Sequence, residues 1–285
     1  MSSLEGGLII KKYSICEKIG EGKFGIVHKG LYNKTNESIA IKLEYSRTNA
    51  KILKHETTIM KYLYDHGCRT IPIVFWYGIY KEYTCMAMTL FERSLYDCIK
   101  REPLPIEKTY LTIYKSIDII ESIHKHYVLH RDIKPHNFML KNGELFIIDF
   151  GFSTFYIDEN CEHIEDTCSQ QSIIGTPKYI SYNIHCGSIP SRRDDLISIG
   201  YMFMFLLYRE LPWDNVLGID KNEQYDDVHV LNYKNKIRRD LKSWIELEPV
   251  CKNLDSKMYR YLNYCYSLKY NETPNYNALK QLLEI

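Results

Sequence analysis

The sequence predicts an α+β protein of two lobes, a small β-rich one followed by a larger, mainly helical one. Three observations carry this reading. Short β-branched and aromatic runs separated by turns fill residues 13–45 and return at 73–91. After residue 92 the pattern changes to apolar residues at three- and four-residue steps. No linker, internal repeat or low-complexity tract interrupts the chain. Residues 1–285 therefore read as one domain, with one lobe over 13–89 and the other over 90–285.

In the first lobe YSICEKIG, GIVHKGLY and SIAIKLEY form an antiparallel meander, with NKTNE as the turn before the third run. The segment 51–65, KILKHETTIMKYLYD, places apolar residues at 52, 53, 59, 60 and 63 and is closed by Gly67, the pattern of the lobe's one main helix. IVFWYGIY and YTCMAMTLF add two strands. The second lobe opens with a long amphipathic helix over 105–127, started by Pro105 and carrying Ile106, Tyr110, Ile113, Ile117 and Ile120 on one face. Further helices are expected at 194–209, 235–247 and 256–268. Within them, ISIGYMFMFLLY at 197–208 is too short to span a bilayer and reads as a buried helix.

Composition removes several classes of function. Hydrophobic residues make up 45% and charged residues 26%, which suits a folded core and argues against disorder. The 37 basic and 36 acidic residues leave a net charge of +1, so no whole-surface field draws nucleic acid or membrane. The nine cysteines are scattered without a CxxC pair, which argues against zinc and for free thiols in a reducing compartment. The start, MSSLEGGLIIKK, has no signal-peptide core, and Ser2 rules out myristoylation. The expectation is an intracellular protein, cytoplasmic or nuclear, monomeric and not membrane-bound. Its tyrosine, isoleucine, asparagine and lysine usage suits an A+T-rich coding sequence, as in a large DNA virus expressed in a host cell or a unicellular parasite.

The chemistry-bearing motifs follow in a fixed order. Gly20-Glu21-Gly22-Lys23-Phe24-Gly25-Ile26-Val27 is G-x-G-x-x-G-x-V between two expected strands. A glycine-lined β-turn lets backbone amides approach phosphates without side-chain obstruction; a tight hairpin explains the same glycines equally well. Lys42, in Ala40-Ile41-Lys42, lies on a strand, and Glu56 follows on the expected helix. A phosphate-binding lysine needs a carboxylate to hold its ammonium, and a strand–helix pair supplies one. Then comes HRDIKPHNFML at 130–140, followed by IIDFG. Asp132 is placed to accept a hydroxyl proton and Lys134 to neutralise a transferring phosphoryl group. Asn137 and Asp149 offer oxygen ligands of the kind magnesium takes alongside phosphate oxygens.

Together these motifs resemble the eukaryotic protein kinases over 13–285. The resemblance implies the bilobal kinase fold, ATP and Mg2+ as cofactors, and protein substrates. Lys134, two residues after Asp132, resembles the serine/threonine class, where Thr176 of GTPKY would bond to Asp132 and Lys134. The A-P-E signature is replaced by Ile180-Ser181-Tyr182-Asn183, and SRRDDLISIGY begins at 191. With RYLNYCYSLKY and TPNYNALKQLL, this is similar to the casein kinase 1 family. Vaccinia-related kinases, which act on chromatin- or DNA-associated proteins, are the runner-up. A pseudokinase binding module is the rival of another class, and would be expected to lack Lys42, Asp132 or Asp149.

Carried over residue by residue, the resemblance implies a nucleotide held between Ile19, Val27 and Ala40 on one side and Met139 on the other. Gly20, Gly22, Phe24 and Gly25 would cover its phosphates, and Lys42 with Glu56 would bind them. Met88 would be the gatekeeper, and the backbone of Thr89 and Phe91 would hold adenine. Asp132, Lys134, Asn137, Asp149 and Thr176 would be catalytic, with Asn137 and Asp149 on the metal. Lys178 matches a position of the family's pocket for an acidic or phosphorylated substrate residue, and Lys236, Arg238 and Arg239 are candidates for another. Two features depart from the family. The activation segment 152–175 holds Asp158, Glu159, Glu162, Glu165 and Asp166 with no Lys or Arg, and 214–234 reads as an insertion. Arg131 is expected to hold the activation segment through one of those acids. The chain stops where a kinase domain ends, which leads to the expectation of constitutive activity.

Overall fold

The computed structural model describes residues 9–22, 25–45, 51–167, 173–214 and 227–284. Phe24 of the glycine-rich run and residues 215–226 of the expected insertion lie outside these. In chain order the elements are β1 (Ile9–Ile10), β2 (Tyr13–Gly22), β3 (Gly25–Tyr32), β4 (Glu37–Tyr45), α1 (Ile52–Asp65), β5 (Val74–Tyr80), β6 (Tyr83–Thr89), β7 (Arg93–Ser94), α2 (Leu95–Arg101), α3 (Ile106–His124), β8 (Val128–Leu129), β9 (Phe138–Lys141), β10 (Glu144–Ile147), β11 (Thr154–Phe155), α4 (Tyr182–His185), α5 (Arg192–Tyr208), α6 (Val228–Leu241), α7 (Trp244–Leu254), α8 (Ser256–Ser267) and α9 (Tyr276–Gln281). They form two compact units, Met1–Arg93 with Met139–Gly151, and Ser94–Phe138 with Phe152–Ile285.

The first unit is built on a six-stranded antiparallel sheet in the order β1-β2-β3-β4-β6-β5. The expected meander is β2-β3-β4, and the hairpin β5-β6 adds its second strand to β4. Alternation along ESIAIKLEY divides β4 between two faces. Ile39, Ile41 and Leu43 join Tyr13, Ile15, Cys85 and Ala87 in a core, against which Tyr32, Trp76, Tyr80 and Tyr83 also pack. Each such buried aliphatic side chain contributes roughly 1.5–3 kcal/mol. The other face carries Ala40 and Lys42. Register sets Val27 opposite Lys42, Lys42 opposite Met86, and Ala40 opposite Met88, so these residues share that face. Helix α1 buries Leu53, Glu56, Ile59, Met60 and Leu63. The acid on this apolar stripe is the exception to its pattern, and Lys42 explains it.

The second unit is organised by α5, every residue of which from Asp194 to Leu206 is buried. It packs against α3 and α8, so a continuous apolar run is the correct pattern for a helix enclosed on all sides. Its start is fixed by Asp194, whose carboxylate accepts from the Ser191 N–H at 2.8 Å. Its end falls at Arg209, which takes a left-handed φ of 63°.

Two helical expectations shift, and one short helix, α2, was not expected. The helix expected over 105–127 ends at His124, because the chain turns there and Tyr127 takes a φ of 62°. The helix expected over 235–247 is two helices. The first ends at Leu241, and Ser243 in extended conformation (ψ 141°) starts the next. Helix α2 was too short to show a period; its signal is the Ser94–Asp97 capping box, with the Ser94 hydroxyl accepting from the Asp97 N–H at 3.0 Å.

Candidate active site

In the first unit, Lys42 donates to Glu56 Oε2 at 2.8 Å and to Asp149 Oδ1 at 3.3 Å. Burial pulls the lysine pKa down, but Glu56 and then Asp149 more than offset it, and the group is held above its ordinary value. Burial pushes the Glu56 carboxyl up, and Lys42 only partly reverses this. The Phe150 N–H also bonds Glu56. Asp149 takes a φ of 70°, a left-handed conformation that Asp tolerates better than most residues.

The glycine-rich hairpin closes at the Gly22–Gly25 pair. Gly25 is required by its surroundings: its φ is 127°, and a Cβ would lie 2.1 Å from the Leu43 carbonyl oxygen. A Cβ on Gly22 would meet open space, so packing does not account for that glycine, and close approach of a ligand would. Ile19 is 47% exposed and Met139 half-buried, while Ala40 and Met88 are buried. The Thr89 N–H is taken by the Ile73 carbonyl at 3.1 Å, so that donor is not offered to a ligand. The Phe91 ring packs on Phe146.

In the second unit, Asp132 is 2% exposed, and its carboxylate meets three donors. The Thr176 hydroxyl donates to Oδ1 at 2.7 Å, while Lys134 at 2.7 Å and the Asn137 amide at 3.1 Å donate to Oδ2. Lys134 also donates to Thr176 at 2.9 Å, closing a ring of one acid, one base and one hydroxyl. The Asn137 amide nitrogen is spent on Asp132, including its carbonyl at 2.8 Å. The amide oxygen is therefore the atom presented to a cation. An amide oxygen in this unit, and in the first unit the Asp149 carboxylate, are each an oxygen donor of the kind magnesium takes.

The loop holding Asp132 is itself fixed by Asp195. That carboxylate accepts from the His130 N–H at 2.8 Å, the Arg131 N–H at 2.9 Å and His124 Nε2 at 3.0 Å. Burial opposes its charge, but His124 holds its pKa below the usual range. Arg131, with a φ of 65°, donates through Nε to the Phe152 carbonyl. The activation segment is thus held through a backbone oxygen, in place of the acidic side chain expected. Gly175 is needed here, since its φ is 103° and a Cβ would lie 2.6 Å from the Arg131 carbonyl oxygen. His130 is fully buried, and Trp213 likewise, as structural residues.

Lys178 donates to Asp214 Oδ2 at 2.6 Å. Of the other basic candidates, Arg238 is 1% exposed and Arg239 pairs with Asp240 at 2.9 Å. Lys242, which carried no signal as a helix-face lysine, is fully buried. It donates to the carbonyls of Pro177 and Ile180, both at 2.8 Å, and lies 3.2 Å from His185 Nε2. Burial, then Lys242, pushes His185 down to about 2. Lys242 therefore braces the segment that bears Thr176. Lys242→Met removes the ammonium from the Ile180 carbonyl and leaves the Pro177 carbonyl to His185 Nε2 alone at 3.3 Å, and is expected to cost about 1–3 kcal/mol, measured by denaturant unfolding.

The chain matches the protein kinase domain family over residues 13–266 and belongs to it. Its β-sheet lobe and helical lobe are those of a kinase domain, and its class of activity is protein phosphotransfer.

Proposed function

We propose that this chain is an ATP- and Mg2+-dependent serine/threonine protein kinase of the casein kinase 1 type, acting on intracellular protein substrates as a monomer. The observation that carries the serine/threonine reading is the Asp132–Lys134–Thr176 ring, at 2.7 to 2.9 Å. A lysine two residues beyond the acid lies beside the acceptor's position and neutralises charge there, while Thr176 holds the carboxylate in place through Oδ1.

The acceptor oxygen attacks the γ-phosphorus, its proton passes to Asp132, and the bond from phosphorus to the ADP oxygen breaks. Lys134 offsets charge on the transferring group. Lys42, held in place by Glu56 and Asp149, steadies the nucleotide phosphates, and the open face beside Gly22 admits them. Asn137 in the second unit and Asp149 in the first are the oxygen donors each unit would offer magnesium, which would neutralise phosphate charge. Phosphoryl transfer asks mainly for positioning and charge stabilisation, which these residues offer.

The test is transfer from labelled ATP to protein and peptide acceptors, with and without chelator, followed by identification of the labelled residue. Labelled serine and threonine, lost on chelation, is the expected result. Labelled tyrosine would sink the specificity, and no labelling of any acceptor would favour a pseudokinase.

A further inference from the structure

A cleft of about 730 Å³ in the second unit is lined by Lys134, Asn137 and Thr176 together with Lys178 and Asp214. Lys134 and Thr176 of the catalytic ring therefore line the same cleft as the Lys178–Asp214 pair. Lys178 is the basic residue that the kinase resemblance offers for an anionic substrate side chain, and its surroundings bear on whether it can serve.

The short turn after α5 grips residue 178 twice. Trp213 Nε1 donates to the Lys178 carbonyl at 2.9 Å. Asp214 Oδ2 accepts from the Lys178 ammonium at 2.6 Å and from the Leu211 N–H at 2.8 Å. The carboxylate is thus fixed by its own turn, and the ammonium is drawn to it, 4.6 Å over the Phe205 ring. The side chains are 20% and 9% exposed, so water screens the pair less than it would a surface pair. Glu210 adds a second carboxylate to the cleft, and Arg209 joins Lys134 and Lys178 as its third cation.

We infer that Asp214 is a specificity-determining residue: it occupies the Lys178 ammonium and turns the cleft away from acidic or phosphorylated substrate side chains. This rests on the kinase reading. An incoming phosphate must displace a carboxylate that the Leu211 N–H holds in place, and then stay beside it, so like-charge repulsion acts against the anion while neutral side chains are not penalised. The acidic activation segment adds to the same bias, with Asp166 accepting from the Ile189 N–H at 3.1 Å.

The experiment compares two peptides that differ only in carrying serine or phosphoserine three residues before the target serine. Labelling from ATP and binding by fluorescence anisotropy are both measured, with the wild type, Asp214→Asn and Asp214→Asn/Lys178→Met. The wild type should treat the two peptides alike within about twofold. Asp214→Asn should shift the ratio toward the phosphopeptide by about tenfold, and the added Lys178→Met should remove that gain. A wild type that already prefers the phosphopeptide, or an Asp214→Asn ratio equal to that of the wild type, overturns the inference and leaves the kinase reading standing. Absent labelling with the binding shift intact does the reverse. The asparagine can still accept from Leu211, and a thermal melt of each variant verifies that the turn persists.

Discussion

Asp132→Asn should lower phosphoryl transfer by about 10²–10⁴-fold, the range for removal of a general base, while nucleotide affinity stays within about twofold. The loss comes from the group's chemistry. A carboxamide cannot take the acceptor's proton, and its one oxygen can satisfy only one end of the present arrangement. With oxygen toward Lys134 and Asn137, the new NH2 faces the Thr176 hydroxyl, which can turn to accept; the reverse orientation sets NH2 against two donors. The variant should therefore fold in a single amide orientation, with the loop still held by Asp195 through the His130 and Arg131 amides. Nucleotide affinity should persist because Lys42, Glu56 and the glycine-rich hairpin belong to the first unit. Single-turnover labelling and titration with a fluorescent nucleotide separate the two effects. Retained turnover would remove Asp132 from the mechanism.

What the sequence made legible is what local spacing can encode. Asp132, Lys134 and Asn137 lie within six residues, and their contacts, such as the Asn137 amide on the Asp132 carbonyl, close within one loop. Lys42 and Glu56 were readable because one lies on a patterned strand and the other on a patterned helix, fourteen residues apart. The long α5 was readable because its apolar run exceeds anything a surface helix needs. The supports of the site were not. Asp195 reaches the loop from 64 and 65 residues away, and in the sequence it is one of two acids in a charged helix start. Lys242 looks like a solvated helix charge and is in fact enclosed, with Trp213 and Tyr201 rings 4.7 and 5.0 Å from its ammonium. The break between α6 and α7 was missed for the same reason: nothing local marks a lysine that turns inward to bond carbonyls 62 and 65 residues before it. Charge pairing between distant segments has no period, so Lys178 could be read as a substrate residue while its partner Asp214 went unmarked.

Lys42→Met should fail twice, once in catalysis and once in folding. Removing the ammonium from the phosphate site should cost about 10²–10³-fold in transfer, the scale for loss of one charge-stabilising donor. Glu56 is 1% exposed, and Lys42→Met leaves it buried beside Asp149 without its counter-charge. Breaking a buried pair by removing one partner costs about 3–5 kcal/mol. The pH dependence follows from the direction of the shift. Burial already raises the folded Glu56 pKa, and Lys42 lowers it back in part; without Lys42 it rises further. A carboxyl whose folded pKa exceeds its unfolded value of about 4.3 contributes its stability below that value and loses it as pH climbs through the folded pKa. The variant should therefore be closest to wild type in acid and fall behind it toward neutral pH. Lys42→Met/Glu56→Gln separates the two failures, since an uncharged amide has no counter-charge to lose. Denaturant unfolding between pH 4 and 8 should show most of the stability restored and the pH slope flattened, while labelling from ATP stays at the level of the single variant. If the double variant were as unstable as the single one, with the same slope, the buried Glu56 charge would not be the origin of the folding cost.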